Sequence, residues 1–113
     1  MHELALANDI IETVSTQIAP DFNKLSGIDI KVGLFSGIVM DSLDFGLKMI
    51  LADKELPDVK INITEVPTIA RCECGNEYSM KDIYENCPRC HSFNRKIISG
   101  MDVVIESVEL LEE

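Results

Sequence analysis

Residues 71–90 read RCECGNEYSMKDIYENCPRC and hold all four cysteines of this 113-residue chain. The cysteines form two close pairs, Cys72-Glu73-Cys74-Gly75 and Cys87-Pro88-Arg89-Cys90, with twelve residues between them. Each pair can supply two thiolates to a tetrahedral ion at about 2.3 Å. The segment has little aliphatic content, so it needs a cross-link, such as a bound metal ion, in order to fold. The spacing therefore predicts a four-cysteine metal site, and zinc is the ion it favours.

Four thiolates fill the coordination shell and leave no position for water or substrate, which indicates structural rather than catalytic zinc. Two alternatives remain open at this point. Four free thiols would leave the segment with neither core nor cross-link, and the softness of sulfur does not by itself select zinc over iron in a rubredoxin-like site. The spacing of Cys72 and Cys74 is also tighter than the usual Cys-x-x-Cys.

The composition narrows the class of protein. Twenty acidic and ten basic residues give a formal charge of −10, which disfavours binding to nucleic acid and to anionic membranes. No apolar run approaches the roughly 18 to 20 residues that span a bilayer, and the N-terminus lacks the features of a secretory signal. We therefore expect a cytoplasmic protein, in which a reducing environment favours metal binding over disulfides.

The chain before the cysteine segment alternates helix and strand patterns. Apolar residues recur at three- and four-residue steps from Leu4 to Ile18, as in an amphipathic helix. A second helix is predicted to begin near Asp41 or Ser42, either of which can cap it, and to run through Leu51. Strict alternation predicts strands at residues 28–34 and 59–64.

Apolar density returns after the cysteine segment. Met101, Val103, Val104, Ile105 and Val108 predict a largely buried strand that pairs with the earlier strands. Residues 67–100 would then be an insertion between two strands of one sheet, and the fold class is α+β.

Three residues at the N-terminus, Met1-His2-Glu3, place several nitrogen donors close along the chain. The α-amine, the backbone nitrogens of residues 2 and 3 and the His2 imidazole can form small chelate rings around one ion. Nickel(II) and copper(II) favour such planar nitrogen sets, whereas zinc does not. Because removal of the initiator methionine generally requires a small second residue, we expect Met1 to be retained. On these residues alone, an exposed histidine at a helix start is the more ordinary interpretation.

Several separated features together resemble the HypA/HybF family of nickel-insertion proteins. They run in the right order over essentially the whole chain: Met1-His2-Glu3 followed by Leu4-Ala5-Leu6-Ala7, Ile30-Lys31-Val32-Gly33, Glu65-Val66-Pro67, Cys74-Gly75, Cys87-Pro88-Arg89-Cys90 and Gly100-Met101. This order is far more specific than any single motif, and it favours the nickel interpretation of the N-terminus.

The resemblance implies a nickel domain of two helices on a three-stranded sheet, formed by residues 1–66 plus 101–113. A zinc-ribbon-like domain, residues 67–100, is inserted in it. Nickel would be held by Met1, His2 and Glu3, with His2 the indispensable side chain. The zinc ligands would be Cys72, Cys74, Cys87 and Cys90.

The resemblance also implies partners. The family works with the GTPase HypB and passes nickel to the large subunit of [NiFe] hydrogenase, and some members also serve urease maturation. No catalysis is implied, and the sequence shows no nucleophile, acid/base pair or open metal position. A zinc-ribbon protein-interaction module without nickel delivery is the alternative, although the charge and the absence of a basic or aromatic stripe disfavour a nucleic-acid-binding ribbon.

Two departures from the family pattern stand beside the cysteines. The first pair is Cys72-x-Cys74 rather than Cys-x-x-Cys. Some members carry a histidine beside each pair, whereas this chain has His91 after the second pair and Asn76 after the first. We place His91 outside the zinc ligands, and the missing first histidine weakens a urease role.

Overall fold

The computed structural model describes residues 3–112, which form two α-helices and two three-stranded sheets. In chain order the elements are α1 (Glu3–Ile18), β1 (Leu25–Gly33), α2 (Met40–Asp53), β2 (Lys60–Val66), β3 (Thr68–Cys72), β4 (Glu77–Met80), β5 (Arg95–Ser99) and β6 (Val103–Leu110), with a short 3-10 helix at Phe22–Lys24 before β1. The predicted mixed α+β class is confirmed.

The first sheet has the strand order β2-β1-β6. β1 pairs parallel with β2, which the α2 crossover makes possible, and antiparallel with β6. Alternation along β1 buries Ile28, Ile30 and Val32. These side chains share one apolar core with buried residues of α1 and α2, and half-buried residues of β2 and β6 pack against it. Burial of these apolar faces drives the packing of the helices on the sheet.

Two expectations from the sequence are wrong in detail. β6 was expected to be largely buried, but it lies at the edge of its sheet. Only alternate side chains of β6 face the core, and Val104, on the other face, is 54% exposed. The residue that caps α2 is Val39, which has no capping side chain, so neither Asp41 nor Ser42 caps the helix. The Val39 N–H instead donates to the carboxylate of Glu3, 36 residues away along the chain, at 3.2 Å.

The second sheet, with strand order β4-β3-β5, is antiparallel throughout and was not predicted from the sequence. Its inner face has a small buried cluster of its own, consisting of Ala70, Cys72, Tyr78, Met80 and Cys87. Phe35, from the loop after β1, packs against this cluster together with Ile97. The loop after β1 therefore contacts both sheets.

The chain passes between the two sheets at a tight strand crossing, formed by Gly33, Thr68 and Gly100. The buried Thr68 hydroxyl donates to the Gly100 carbonyl at 2.7 Å and accepts from the Phe35 N–H at 3.3 Å. A Cβ on Gly33 would overlap the Gly100 carbonyl, and one on Gly100 would overlap the Pro67 carbonyl. Only glycine permits this approach of three backbone segments.

Candidate metal centre

The first cysteine pair lies on the turn that joins β3 to β4. Cys72 is the last residue of β3, and its backbone N–H and C=O bond Asn76 O and Gly75 N, each at 2.9 Å. Gly75 has a φ of +92°, a conformation that glycine adopts without strain. The tight Cys72-x-Cys74 spacing is thus accommodated by a turn that Gly75 makes possible.

The second pair lies on a separate turn before β5. The His91 N–H donates to Cys87 O at 2.8 Å, and the Cys87 N–H donates to Ser92 O at 3.1 Å. These two bonds close the turn around Pro88 and Arg89, and bring both cysteine side chains toward the first pair.

The structure brings together all four cysteines predicted to bind a metal. The sulfurs of Cys72 and Cys90 are 3.2 Å apart, those of Cys74 and Cys87 are 3.8 Å apart, and all four lie within 4.8 Å of one another. Four sulfurs bound tetrahedrally at about 2.3 Å would be about 3.8 Å apart. The donor set and its spacing therefore fit a tetrahedral thiolate-bound ion such as zinc.

The thiols differ in their tendency to ionise. Burial opposes ionisation of Cys87 most strongly, but the N–H groups of Cys90 and Arg89 and the Asn76 amide outweigh it, and lower the Cys87 pKa to about 6. For Cys90 the backbone N–H of Ser92 favours ionisation, yet the neighbouring thiol of Cys72 and burial raise its pKa to about 12. Of these two thiols, Cys87 is therefore the one that ionises more readily.

Two polar residues that sequence reasoning missed hold the site together. The Glu73 carboxylate accepts from Ser92 Oγ at 3.0 Å and from Asn94 Nδ2 at 3.2 Å, so it ties the first turn to the chain that leaves the second. The Asn76 amide donates to the Cys87 sulfur at 3.6 Å. Their only sequence signal is proximity to the cysteines, because the bonds join residues that are 11 to 21 positions apart.

His91 stands apart from the sulfur cluster. It is exposed, it has a φ of 63°, and the ligand group found among residues 3–112 consists of the four cysteines without it.

Of the residues predicted to bind nickel, Met1 and His2 lie outside the described residues. Glu3 is the first residue of α1, and its carboxylate accepts the Val39 N–H described above. This bond fixes the start of α1 against the start of α2. Beside it lies an open groove of about 510 Å³, lined partly by Leu4, Phe45 and Met49.

Within the described chain, no helix is both long enough and apolar enough to cross a membrane.

Comparison with known proteins gives one consistent result. The profile of the family described as "Hydrogenase/urease nickel incorporation, metallochaperone, hypA" matches residues 1–110. A protein of Francisella philomiragia named hydrogenase maturation factor HypA is 31% identical over 109 residues, covering 96% of this chain and 97% of that protein. A protein of the same name from Desulfatibacillum aliphaticivorans is 33% identical over 115 residues, covering 99% and 88%.

Two solved structures have a similar fold over the whole chain. The solution structure of the nickel metallochaperone HypA from Helicobacter pylori matches with a TM-score of 0.66 at 18% identity, covering 100% of both chains. A second solution structure, of a protein named HypA, matches with a TM-score of 0.70 at 20% identity, covering 100% of this chain and 98% of the other. At these identities the likeness concerns the fold.

Proposed function

The chain belongs to the HypA family of hydrogenase and urease nickel-incorporation metallochaperones, and on that premise we propose that it carries nickel(II) to [NiFe] hydrogenase during maturation. The match of the family over residues 1–110 is the observation that carries this proposal. Nickel is the cargo, and the chain acts as a cytoplasmic carrier rather than as an enzyme.

The nickel site in this proposal is the N-terminus. Its donors are the α-amine of Met1, the backbone nitrogens of His2 and Glu3 and the His2 imidazole, a nitrogen set that suits planar nickel(II). Because the Glu3 carboxylate is engaged with the Val39 N–H, Glu3 contributes its backbone nitrogen rather than its side chain. That contact supports the site indirectly, since it anchors one of the residues that supply a donor.

The four cysteines form a structural zinc site in this proposal. The fit of the sulfur spacing to a tetrahedral ion and the absence of a fifth ligand from the described cluster support a closed shell. When bound, zinc would supply no chemistry beyond cross-linking the two turns. Residues 67–100 would then be a zinc domain, inserted into a nickel domain of residues 1–66 plus 101–113.

The partners follow from the family role. A HypB-type GTPase would work with this chain, the large subunit of [NiFe] hydrogenase would receive the nickel, and urease maturation proteins are further candidates. A carrier must release its ion as readily as it binds it, which suits a site at the end of the chain rather than in its core.

Nickel titration of untagged, zinc-loaded protein tests the proposal. Calorimetry and the absorption band of planar nickel should report a single nickel ion per chain. His2→Ala and an N-terminally extended variant should lose that binding and that band, whereas His91→Ala, which removes the other histidine of the chain, should keep both. If His2→Ala and the extended variant bind like wild type, or if no form binds, the N-terminal assignment is wrong. The zinc-ribbon interaction module then becomes the better account.

A further inference from the structure

Tyr78 places a hydroxyl group inside the second sheet. It lies on β4 opposite Ala70, on the inner face, and is only 7% exposed. Among the buried side-chain oxygen and nitrogen atoms of residues 3–112, its hydroxyl is the one that no protein atom engages in a hydrogen bond. Burying a hydroxyl without a partner costs free energy, and phenylalanine would fill the same space without that cost. We therefore expect this hydroxyl to have a hydrogen-bond partner in the functional protein.

The Tyr78 side chain packs in the same buried cluster as two of the cysteines, Cys72 and Cys87. Its hydroxyl interacts electrostatically with Arg95, which pairs with Cys72 across the sheet, and with both of these cysteines. A tyrosine hydroxyl carries its proton at neutral pH, so it is available as a hydrogen-bond donor.

The chemistry of the cysteines changes when they bind a cation. A neutral thiol is a weak hydrogen-bond acceptor, whereas a metal-bound sulfur is a thiolate. Four thiolates around a divalent ion leave the group with a net negative charge, and hydrogen bonds to charged acceptors are the stronger ones. Metal sites commonly use such outer donors to hold their ligands. Asn76 already acts in this way toward Cys87.

We propose that the Tyr78 hydroxyl is a hydrogen-bond donor to the thiolate shell of the metal-loaded four-cysteine site. Tyr78 is thus a positioning residue: it binds no metal itself but lowers the charge on the sulfurs and retards loss of the ion. The inference rests on the metal site of the proposed function and is independent of nickel binding at the N-terminus.

Tyr78→Phe tests the proposal, because it removes the oxygen and keeps the ring. The matched control is Tyr84→Phe, at the other tyrosine of the chain, which is 81% exposed. Zinc affinity is measured by competition with a chromophoric chelator, and cobalt(II) alone serves as the spectroscopic probe. We expect Tyr78→Phe to bind zinc about tenfold more weakly than wild type. Its sulfur-to-cobalt charge-transfer band should move to lower energy, because the sulfurs lose a donor, whereas Tyr84→Phe should match wild type in both measurements.

Three outcomes would overturn the inference. Unchanged affinity and an unmoved band in Tyr78→Phe would show that the hydroxyl has no role toward the sulfurs. Weaker zinc binding with an unmoved charge-transfer band would show that Tyr78 supports the site only through packing in the buried cluster. A wild-type protein that takes up neither metal would remove the four-cysteine metal site itself and this inference with it, so the two failures are distinguishable.

Discussion

His91 adopts a backbone conformation that side chains with a Cβ find unfavourable. Its φ of 63° lies in the left-handed region, and the turn needs that conformation so that the His91 N–H can reach Cys87 O. Left-handed geometry costs about 1 kcal/mol for a residue other than glycine. The residue has no partner in the sulfur cluster that would explain the choice of histidine.

His91→Gly should therefore stabilise the metal-loaded protein by about 1 kcal/mol, measured by thermal or denaturant unfolding. His91→Ala keeps the Cβ and the strain, so it should leave stability close to that of wild type. Both variants should retain a full complement of zinc by metal analysis. Loss of the metal from both would mean that the imidazole is a ligand after all.

Asp29 joins the three strands of the first sheet through its side chain. Asn62 on β2 donates to one carboxylate oxygen at 2.9 Å, and Ser107 on β6 donates to the other at 2.8 Å. These bonds, with Asn62 the larger contribution, lower the pKa of Asp29 below its ordinary value. Because the folded-state pKa is the lower one, the ionised carboxylate stabilises the fold above the ordinary value. That stabilisation is lost as the pH falls through the folded-state pKa.

A carbon-13 titration of the Asp29 carboxyl group should report this lowered pKa. Asn62→Ala should raise the pKa more than Ser107→Ala does, and the unfolding free energy of both variants should depend less on pH in the acidic range. Equal pKa values in all three proteins would show that the two hydrogen bonds do not act on the carboxylate in solution.

At the scale of elements, the sequence predicts what local patterns determine. The apolar spacing of α1 and the alternation of β1 identify those elements to within a few residues, because each pattern matches the period of its backbone. The bounds of α2 are predicted to within two residues, but the contacts that hold its ends could not be predicted. Its start is held by Glu3 from another helix, and Glu55 takes the left-handed conformation after its end where glycine would be expected. The second sheet has strands of four and five residues with few aliphatic side chains, so they carry little periodic signal.

The strand crossing makes a further prediction about elements. Gly100 has a φ of +88°, and an added Cβ would overlap the Pro67 carbonyl, whereas Gly37, with a φ of +79°, has open space around it. Gly37→Ala should therefore cost only the left-handed strain, about 1 kcal/mol. Gly100→Ala should cost about 3 kcal/mol or more, because backbone segments must also move apart.

Denaturant unfolding of the two glycine variants measures this difference, since they share the conformational penalty and differ in the overlap. If both lose the same free energy, the crossing is looser than the contacts indicate.

At the scale of the whole molecule, the two candidate metal sites differ in how much of each can be predicted from the sequence. The four cysteines are recognisable from their spacing alone, because two closely spaced pairs are the usual way in which a chain supplies four thiolates to one tetrahedral ion. The bonds of Glu73 and Asn76 depend on how the two turns meet, which only the folded chain determines. Met1, His2 and Glu3 are ordinary residues in isolation. They indicate a nickel site only together with the other family motifs that follow them in order along the chain.

The separation of the two apolar clusters leads to a prediction about metal removal. The cluster of the first sheet contains many large aliphatic side chains and no cysteine, whereas two of the five buried residues in the cluster of the second sheet, Cys72 and Cys87, belong to the metal site. Chelation of the metal should therefore unfold the second sheet while the first stays folded.

Hydrogen exchange of the intact chain, with and without chelator, measures this directly. Amides of β3 and β4 should exchange at nearly the rate of an unstructured chain after chelation, whereas the Ile30 amide in β1 should keep its protection. The Phe35 amide donates to Thr68 across the crossing, so it should lose protection together with the second sheet, whereas the nearby Gly33 amide, which donates to Asp102, should remain protected. Equal loss of protection in both sheets would instead show that the metal stabilises the whole chain as one cooperative unit, with the crossing transmitting its effect to α1 and α2.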